Sequence, residues 1–172
     1  QTLPGIASDG DNSKLYVRGG SPDENLVLYD GATIRNPFHF DMMGGGYWSI
    51  FNSRLVEKVE FYAGGFPARY GDRLSSVLLI ENRTGSKEKM KGEGSISMSD
   101  ASGTLEAPLP FADGAALVSF RRSYFDALLK YTDLAADYSV LPYFFDINSK
   151  FDFHLSQVHK LTFSGLYSQE KM

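Results

Sequence analysis

The clearest pattern of hydrophobic and polar positions lies in the second half of the chain, where the two classes alternate with a period of two residues. In residues 144–155 the apolar face carries Phe145, Ile147, Phe151, Phe153 and Leu155, and the polar face carries Asp146, Asn148, Lys150, Asp152 and His154. Successive side chains of a strand point to opposite faces, so this alternation predicts a β-strand. Residues 160–168 repeat it, and shorter versions occur at 95–99, 103–109 and 115–122. The second half is therefore predicted to be an antiparallel sheet.

An apolar face that alternates with a polar face has two ordinary explanations. In a soluble sandwich the apolar face forms the core, whereas in an outer-membrane barrel it faces lipid and the polar face lines the lumen. The sandwich is the commoner architecture, but the connections favour the barrel. Residues 111–114 and 156–159 predict tight turns, and residues 123–141 predict a long loop with a helix near 124–131. Membrane barrels have short turns on one side and long loops on the other, although the short connection predicted at 100–102 fits this scheme less well.

The first half predicts short strands separated by glycine-rich turns. Strands are expected at residues 15–20, 25–34, 56–63 and 74–84. Within the second of these, Asp30-Gly31 predicts a hairpin turn, because both positions tolerate a positive φ. Residues 49–55 predict one or two helical turns. This order favours a small α/β or α+β domain of about 80 residues.

Composition narrows the possible functions. Of the 172 residues 42% are hydrophobic and 14% aromatic, which argues against intrinsic disorder. A net charge of -4 with scattered Lys and Arg provides no field to attract nucleic acid, so no nucleic-acid partner is expected. Because there is no cysteine, disulfides, zinc thiolate sites and thiol catalysis are excluded. No apolar run approaches the roughly 20 residues of a membrane helix.

Sequence patterns for metal binding and catalysis are weak. The histidines His39, His154 and His159 are far apart and show no ligand spacing, so no metal site is predicted. Residues 8–13 alternate oxygen-bearing side chains as a calcium loop does, but lack the later Gly and Glu of that motif. The glycines at 44–46 do not form a dinucleotide-binding pattern. We therefore expect no catalytic residue, no cofactor and no enzyme activity.

Four segments of the first half, in order, resemble the plug domain of TonB-dependent outer-membrane receptors. They are LYVRGG, NLVLYDGATI, RLVEKVEFYAGGFPARYG and RLSSVLLIENRT. The alternating strands that follow resemble the beginning of the barrel of such a receptor. Where the commoner family form has Arg-Gly-Pro, this chain has AGGFPAR at 63–69. That variant is similar to receptors of Bacteroidetes-type bacteria.

The resemblance implies a fold in two parts. Residues 1–85 would form an α+β plug domain, a small mixed sheet with short helices. Residues 86–91 would be a linker, and residues 92–172 would form the first four or five antiparallel strands of a transmembrane β-barrel. Barrels of this family close about 22 strands around the plug, so these strands would make a partial barrel.

The resemblance also implies a function and a set of partners. The intact receptor would bind a scarce small-molecule, peptide or glycan nutrient at the surface of a Gram-negative cell and import it when TonB displaces the plug. The expected partners are TonB, through an upstream segment because no TonB box is visible before Leu3, the rest of the barrel, and membrane lipid in the outer membrane. The alternative is a soluble β-sandwich module that binds a ligand without transporting it.

Two groups of residues are candidates for the receptor's function. The first is an aromatic group at the expected plug apex, which would contact substrate or simply pack in a core or loop: Phe38, His39, Phe40, Tyr47 and Trp48. The second is a set of charged residues whose arginines are expected to pair with carboxylates of the plug, such as Glu57 or Glu60, or of the barrel wall, or else to be solvated. Its members are Arg18, Glu57, Glu60, Arg69 and Arg73.

Overall fold

The computed structural model divides the chain into two compact units, Gln1–Arg83 and Thr84–Met172. The structure describes residues 6–8, 14–41, 46, 48–71, 73–110, 112–130 and 142–171.

The first unit contains eight described strands and one turn of 3-10 helix, Pro22–Glu24. The strands are β1 Ile6–Ser8, β2 Leu15–Val17, β3 Asn25–Tyr29, β4 Ala32–Ile34, β5 Phe38–His39, β6 Trp48–Ser49, β7 Val56–Tyr62 and β8 Ser76–Asn82. A four-stranded sheet has the order β4-β3-β8-β7, in which β3 and β8 are parallel and the other pairs are antiparallel. The predicted small mixed sheet is confirmed.

The turn between β3 and β4 forms as the sequence predicts. Asp30 and Gly31 have φ values of 47° and 85°, both in the left-handed region that this tight hairpin turn requires. The carboxylate of Asp30 also accepts hydrogen bonds from the backbone N–H and the side-chain Nδ2 of Asn82, both at 2.9 Å. The turn is therefore tied to the end of β8, the central parallel partner of β3.

One hydrophobic cluster of the first unit lies on one face of the mixed sheet. Leu26, Val77 and Leu79 are buried there, and four half-buried residues pack against them: Leu28, Tyr62, Phe66 and Tyr70. Leu26 is directly opposite Val77 in the parallel ladder. An apolar face of this kind stabilises the unit by removing hydrocarbon from water.

The short helices expected in the first unit are not seen among its described residues. The helical turns predicted at 49–55 are wrong, because this stretch begins with the end of β6 and continues as bends and a turn. In this stretch, side-chain oxygens accept hydrogen bonds from backbone N–H groups that a helix would use for its own hydrogen bonds. The hydroxyl of Ser49 accepts from the N–H of Phe51 at 3.0 Å, and the side-chain oxygen of Asn52 accepts from the N–H of Arg54 at 3.1 Å.

The second unit is an antiparallel meander of five strands. They are β9 Lys91–Ile96, β10 Asp100–Pro108, β11 Gly114–Ser123, β12 Tyr143–His154 and β13 Lys160–Lys171. Sheet order follows chain order, with β9 and β13 at the two edges. A helix α1, Phe125–Lys130, begins the connection between β11 and β12, which confirms the helix predicted there. None of the helices in the described ranges is long and apolar enough to span a membrane.

One predicted connection of the second unit is displaced. Residues 100–102 were expected to form the link, but they belong to β10, and the turn lies at residues 97–99. The hydroxyl of Ser97 accepts from the N–H groups of Ser99 and Asp100 at 3.2 and 3.0 Å, which closes the turn earlier than the predicted strand end at residue 99.

Candidate functional site

The apolar side chains of the second unit lie on an exposed face of its sheet. Phe120 is 52% exposed and Phe163 is 56% exposed. The strand register places the outward residues in rows across the sheet, for example Phe120, Ile147 and Tyr167, each opposite the next. A soluble sandwich would bury this face, so the arrangement is opposite to that of a water-soluble sheet.

The polar side chains of the same strands are buried. Asp146 is fully buried, and its carboxylate pairs with the guanidinium of Arg121 at 2.6 and 3.1 Å. The other oxygen of Asp146 accepts from the hydroxyl of Ser168 at 2.8 Å. The guanidinium of Arg121 also lies 4.9 Å from the ring centroid of Phe144. This charge pair is thus held from three neighbouring strands, because β11, β12 and β13 each contribute a residue.

Three further contacts extend the buried polar face along the strands. The hydroxyl of Thr104 donates to that of Ser119 at 2.9 Å. Nearer the turn that joins β12 to β13, Asp152 accepts from the hydroxyl of Thr162 at 2.5 Å and from the ammonium group of Lys160 at 2.9 Å. A polar interior behind an apolar exterior is the arrangement found in membrane barrels.

The aromatic candidates of the first unit are gathered at the β5–β6 pair. In this ladder Phe38 is opposite Ser49 and His39 is opposite Trp48. The rings of Phe40 and Trp48 meet edge to face, with centroids 5.9 Å apart. His39 and Phe40 are buried.

Exposure divides this aromatic group. Phe38 and Trp48 are half-buried, so part of each side chain is accessible to a ligand. Tyr47 lies outside the described residues. Gly46 has a φ of 73°, and an added Cβ would lie 2.4 Å from the Cβ of Phe38. The strand pair therefore depends on glycine at that position.

The charged candidate Glu60 belongs to a small cluster on β7. Its carboxylate lies 2.5 Å from the ammonium group of Lys58 and accepts from the hydroxyl of Tyr62 at 3.0 Å. Hydrogen bonding to Lys58, then to Tyr62, lowers the pKa of Glu60, and the charge of Arg69 lowers it further. The same pair with Glu60 raises the pKa of Lys58.

Lys58 and Tyr62 were not predicted from the sequence to be partners of Glu60. Residues two apart on a strand share a face, so the spacing of the three residues could have revealed them. The guanidinium of Arg69 lies 4.6 Å from the ring centroid of Tyr70, and its charge acts on the carboxylate of Glu60. The structure thus brings Glu60 and Arg69 together.

The other charged candidates lie elsewhere. Arg18 has a φ of 51°, and its guanidinium lies beside Gly64, where an added Cβ would be 2.6 Å from Nη1. Among the described residues, Arg18 has no ion-pair partner. The charge of Arg73 contributes to lowering the pKa of Asp23, after the stronger effect of a hydrogen bond from Ser21.

Two negative findings complete the site. Glu57 is exposed and makes no ion pair within the described part of the chain. Across the same part, no three His, Cys, Asp or Glu side chains come together in a way that could hold a metal ion.

The fold and its surfaces define a class of protein. A small mixed sheet, followed by an antiparallel meander with its apolar side outward and its polar side buried, is typical of a plug followed by membrane-barrel strands. Residues 1–76 match the family model of the TonB-dependent Receptor Plug Domain. The chain is therefore identified as part of a TonB-dependent receptor. No solved structure matches it.

Members of this family share several properties. TonB-dependent receptors are transport proteins of the Gram-negative outer membrane and are not an enzyme family. Their plug interacts with TonB and with the rest of the barrel. The Bacteroidetes-like character of residues 63–69 stays a prediction.

Proposed function

We propose that the intact receptor captures a scarce nutrient at the cell surface and imports it when TonB displaces the plug. The observation that carries this proposal is the inverted polarity of the second unit in a chain that also contains a plug domain. Phe120 and Phe163 face outward, while Arg121 and Asp146 are buried as an ion pair. An apolar exterior suits acyl chains, and a polar interior suits a water-filled lumen that a plug must close.

Within the plug, the proposed substrate contact is the aromatic group at the β5–β6 pair. Phe38 and Trp48 keep exposed surface, whereas His39 and Phe40 are buried. Aromatic rings bury large areas at little cost in side-chain entropy, which suits them to ligand contacts. Tyr47 is included by its position in the sequence between Gly46 and Trp48.

The import role can be tested by growth. A strain lacking the receptor is grown on single candidate nutrients, small molecules, peptides and glycans in turn, with and without the restored gene. The expected result is one nutrient class that supports growth only with the receptor. Restoring it with Trp48→Leu should raise the nutrient concentration needed, whereas Phe51→Leu, which alters a ring stacked on Tyr29 at 4.9 Å, should not. Equal growth with and without the gene on every nutrient would refute import.

The charged residues are proposed to fix the plug in the barrel. Arg18 has no ion-pair partner among the described residues, so its guanidinium is available to a carboxylate of the barrel wall. Glu57 is available in the same way. Glu60, Arg69 and Arg73 would also pair with charged groups of the barrel wall from the positions described above. A desolvated pair of this kind contributes modest net stability, but removing one partner is costly.

Charge reversal tests this pairing in the full receptor. Arg18→Glu should lower the urea concentration at which the plug unfolds and should alter uptake, because it places two like charges together. Arg35→Glu is the matched control, since Arg35 is also exposed. Unchanged plug stability and uptake in Arg18→Glu would argue against the pairing.

A further inference from the structure

Hydrogen bonds within the first unit fix the chain as far as Arg83. The backbone N–H of Arg83 donates to the carbonyl of Leu55 at 2.7 Å, and its Nε donates to the carbonyl of Arg54 at 3.3 Å. One residue earlier, Asn82 is bonded twice to the carboxylate of Asp30. The end of β8 is therefore fixed to two other parts of the same unit.

The second unit holds the chain from Gly85 onward. Gly85 is buried, and a Cβ added to it would lie 2.2 Å from the carbonyl oxygen of Ala116 and 2.6 Å from its carbonyl carbon. The exit segment is defined as residues 85–90, and its first residue, Gly85, lies directly on the backbone of β11. No side chain fits at this contact, because backbone atoms cannot move aside as a flexible side chain can.

A second contact secures the exit segment to the sheet two residues later. The ammonium group of Lys87 lies 3.4 Å from the carboxylate of Asp113 and 3.4 Å from Nε2 of His154. The two partners are themselves joined, since the N–H of His154 donates to the carbonyl of Asp113 at 2.7 Å. Lys87 therefore binds where the β10–β11 turn meets the end of β12.

We propose that Thr84 is the pivot of plug displacement and that the exit segment stays on the barrel sheet while the plug moves. Thr84 is exposed and makes no side-chain hydrogen bond to the described residues. Thr84 lies between the hydrogen bonds that Arg83 makes within the first unit and the backbone contact that Gly85 makes within the second. The inference rests on the proposed displacement of the plug, and it names the residue at which the chain changes direction during that displacement.

The physical reason is the distribution of contacts along the chain. A hinge is a small number of residues that absorb large changes of φ and ψ while the packed parts on either side keep their contacts. Moving the chain at Gly85 would separate two backbones in contact, and moving it at Arg83 would break two hydrogen bonds. A rotation at Thr84 breaks neither set.

Single-molecule pulling on the full receptor in a bilayer tests, without any substrate, whether the exit segment stays on the sheet while the first unit is pulled away from it. A handle is attached through Gln1→Cys, and the length of chain released before the sheet resists is measured. Release that stops at Thr84 corresponds to about 84 residues, or about 290 Å. In Gly85→Ala the exit segment should be dislodged and the stop should move about 20 Å further, to the start of β9. Gly94→Ala is the matched control, because an added Cβ there meets no atom within 4 Å.

A milder pair of variants covers the case in which Gly85→Ala does not fold. Lys87→Gln should lower the force at the same stop, whereas Lys89→Gln should leave it unchanged. A wild-type stop at residue 90 or beyond would overturn the proposal, as would equal forces in these two variants. Since released length is read without a nutrient, a receptor that imports nothing would refute the proposed function and leave this measurement standing.

Discussion

The two units of the chain bury opposite kinds of side chain. The first unit buries Leu26 and Val77 in its sheet and keeps the Lys58 and Glu60 pair toward solvent. The second unit buries the Arg121 and Asp146 pair. It exposes the apolar row of Phe120, Ile147 and Tyr167.

This difference shows which surroundings each unit fits. Burial of hydrocarbon is favourable when the alternative is water, so the first unit is built as a water-soluble domain is. An exposed apolar face of five strands is an association hazard in water and an advantage in lipid. A strand of 10 or 12 residues, as in β11 and β12, also reaches the length that spans a bilayer, about 9–11 residues when tilted.

The largest expected effect comes from breaking the buried pair of the second unit. Asp146→Ala should lower the free energy of unfolding by about 3–5 kcal/mol, because it leaves the guanidinium of Arg121 buried without this carboxylate. The measurement is denaturant unfolding of the receptor in lipid vesicles.

Two variants serve as controls for that effect. The double variant Arg121→Met with Asp146→Leu should recover most of the loss, because no buried charge remains. Asp126→Ala breaks the more exposed pair with Arg122 and should cost no more than about 1 kcal/mol. Equal losses in Asp146→Ala and Asp126→Ala would remove the contrast between a buried and an exposed pair.

Lysine on the apolar face of the second unit gives the next largest effect. Ile147→Lys, near the middle of β12, should cost about 2–4 kcal/mol in vesicles, because the charge would lie within the acyl chains. Val59→Lys makes the same kind of change at a position that is 57% exposed in the first unit, and should stay within about 0.5 kcal/mol. If Ile147→Lys were as mild as Val59→Lys, the outward face would not be a lipid surface.

Sequence patterns predicted the strands better than their ends or the side-chain partners. The alternation at 144–155 marks β12 almost residue by residue, and Asp30-Gly31 marks the first hairpin, because both signals are local. The turn at 97–99 was misplaced, since Ser97 closes it through its own hydroxyl.

Contacts between residues distant in sequence could not be predicted from the sequence patterns. The pairing of Arg121 with Asp146 depends on the register of two strands, and these two residues are 25 positions apart in the chain. The contact of Gly85 with Ala116 depends on where the exit segment crosses the sheet. Alternation alone also left both barrel and sandwich open, because it does not say which face is buried.

A smaller effect is expected at the first hairpin, where the first unit has a half-buried carboxylate contact. Asp30→Ala removes the acceptor of two hydrogen bonds from Asn82 and should cost about 1–3 kcal/mol, measured by urea unfolding of the plug. Asp30→Asn should cost less, because asparagine tolerates the positive φ and keeps one acceptor oxygen. Equal losses in the two variants would assign the effect to the charge of Asp30 rather than to the hydrogen bonds.

The smallest effect should be the pH dependence of the exposed pair in the first unit. The pKa of Glu60 is lowered by its bond to Lys58, so its contribution to stability is present above its ordinary pKa of 4.5 and is lost as pH falls through the lower folded value. The urea midpoint of the plug should therefore be slightly higher than that of Glu60→Gln at pH 7, and the gap should close in acid. Glu57→Gln, exposed on the same strand and without an ion pair among the described residues, should show no such gap. A gap for Glu60→Gln that persists unchanged well below pH 4.5 would mean that the carboxylate's charge is not what stabilises this surface.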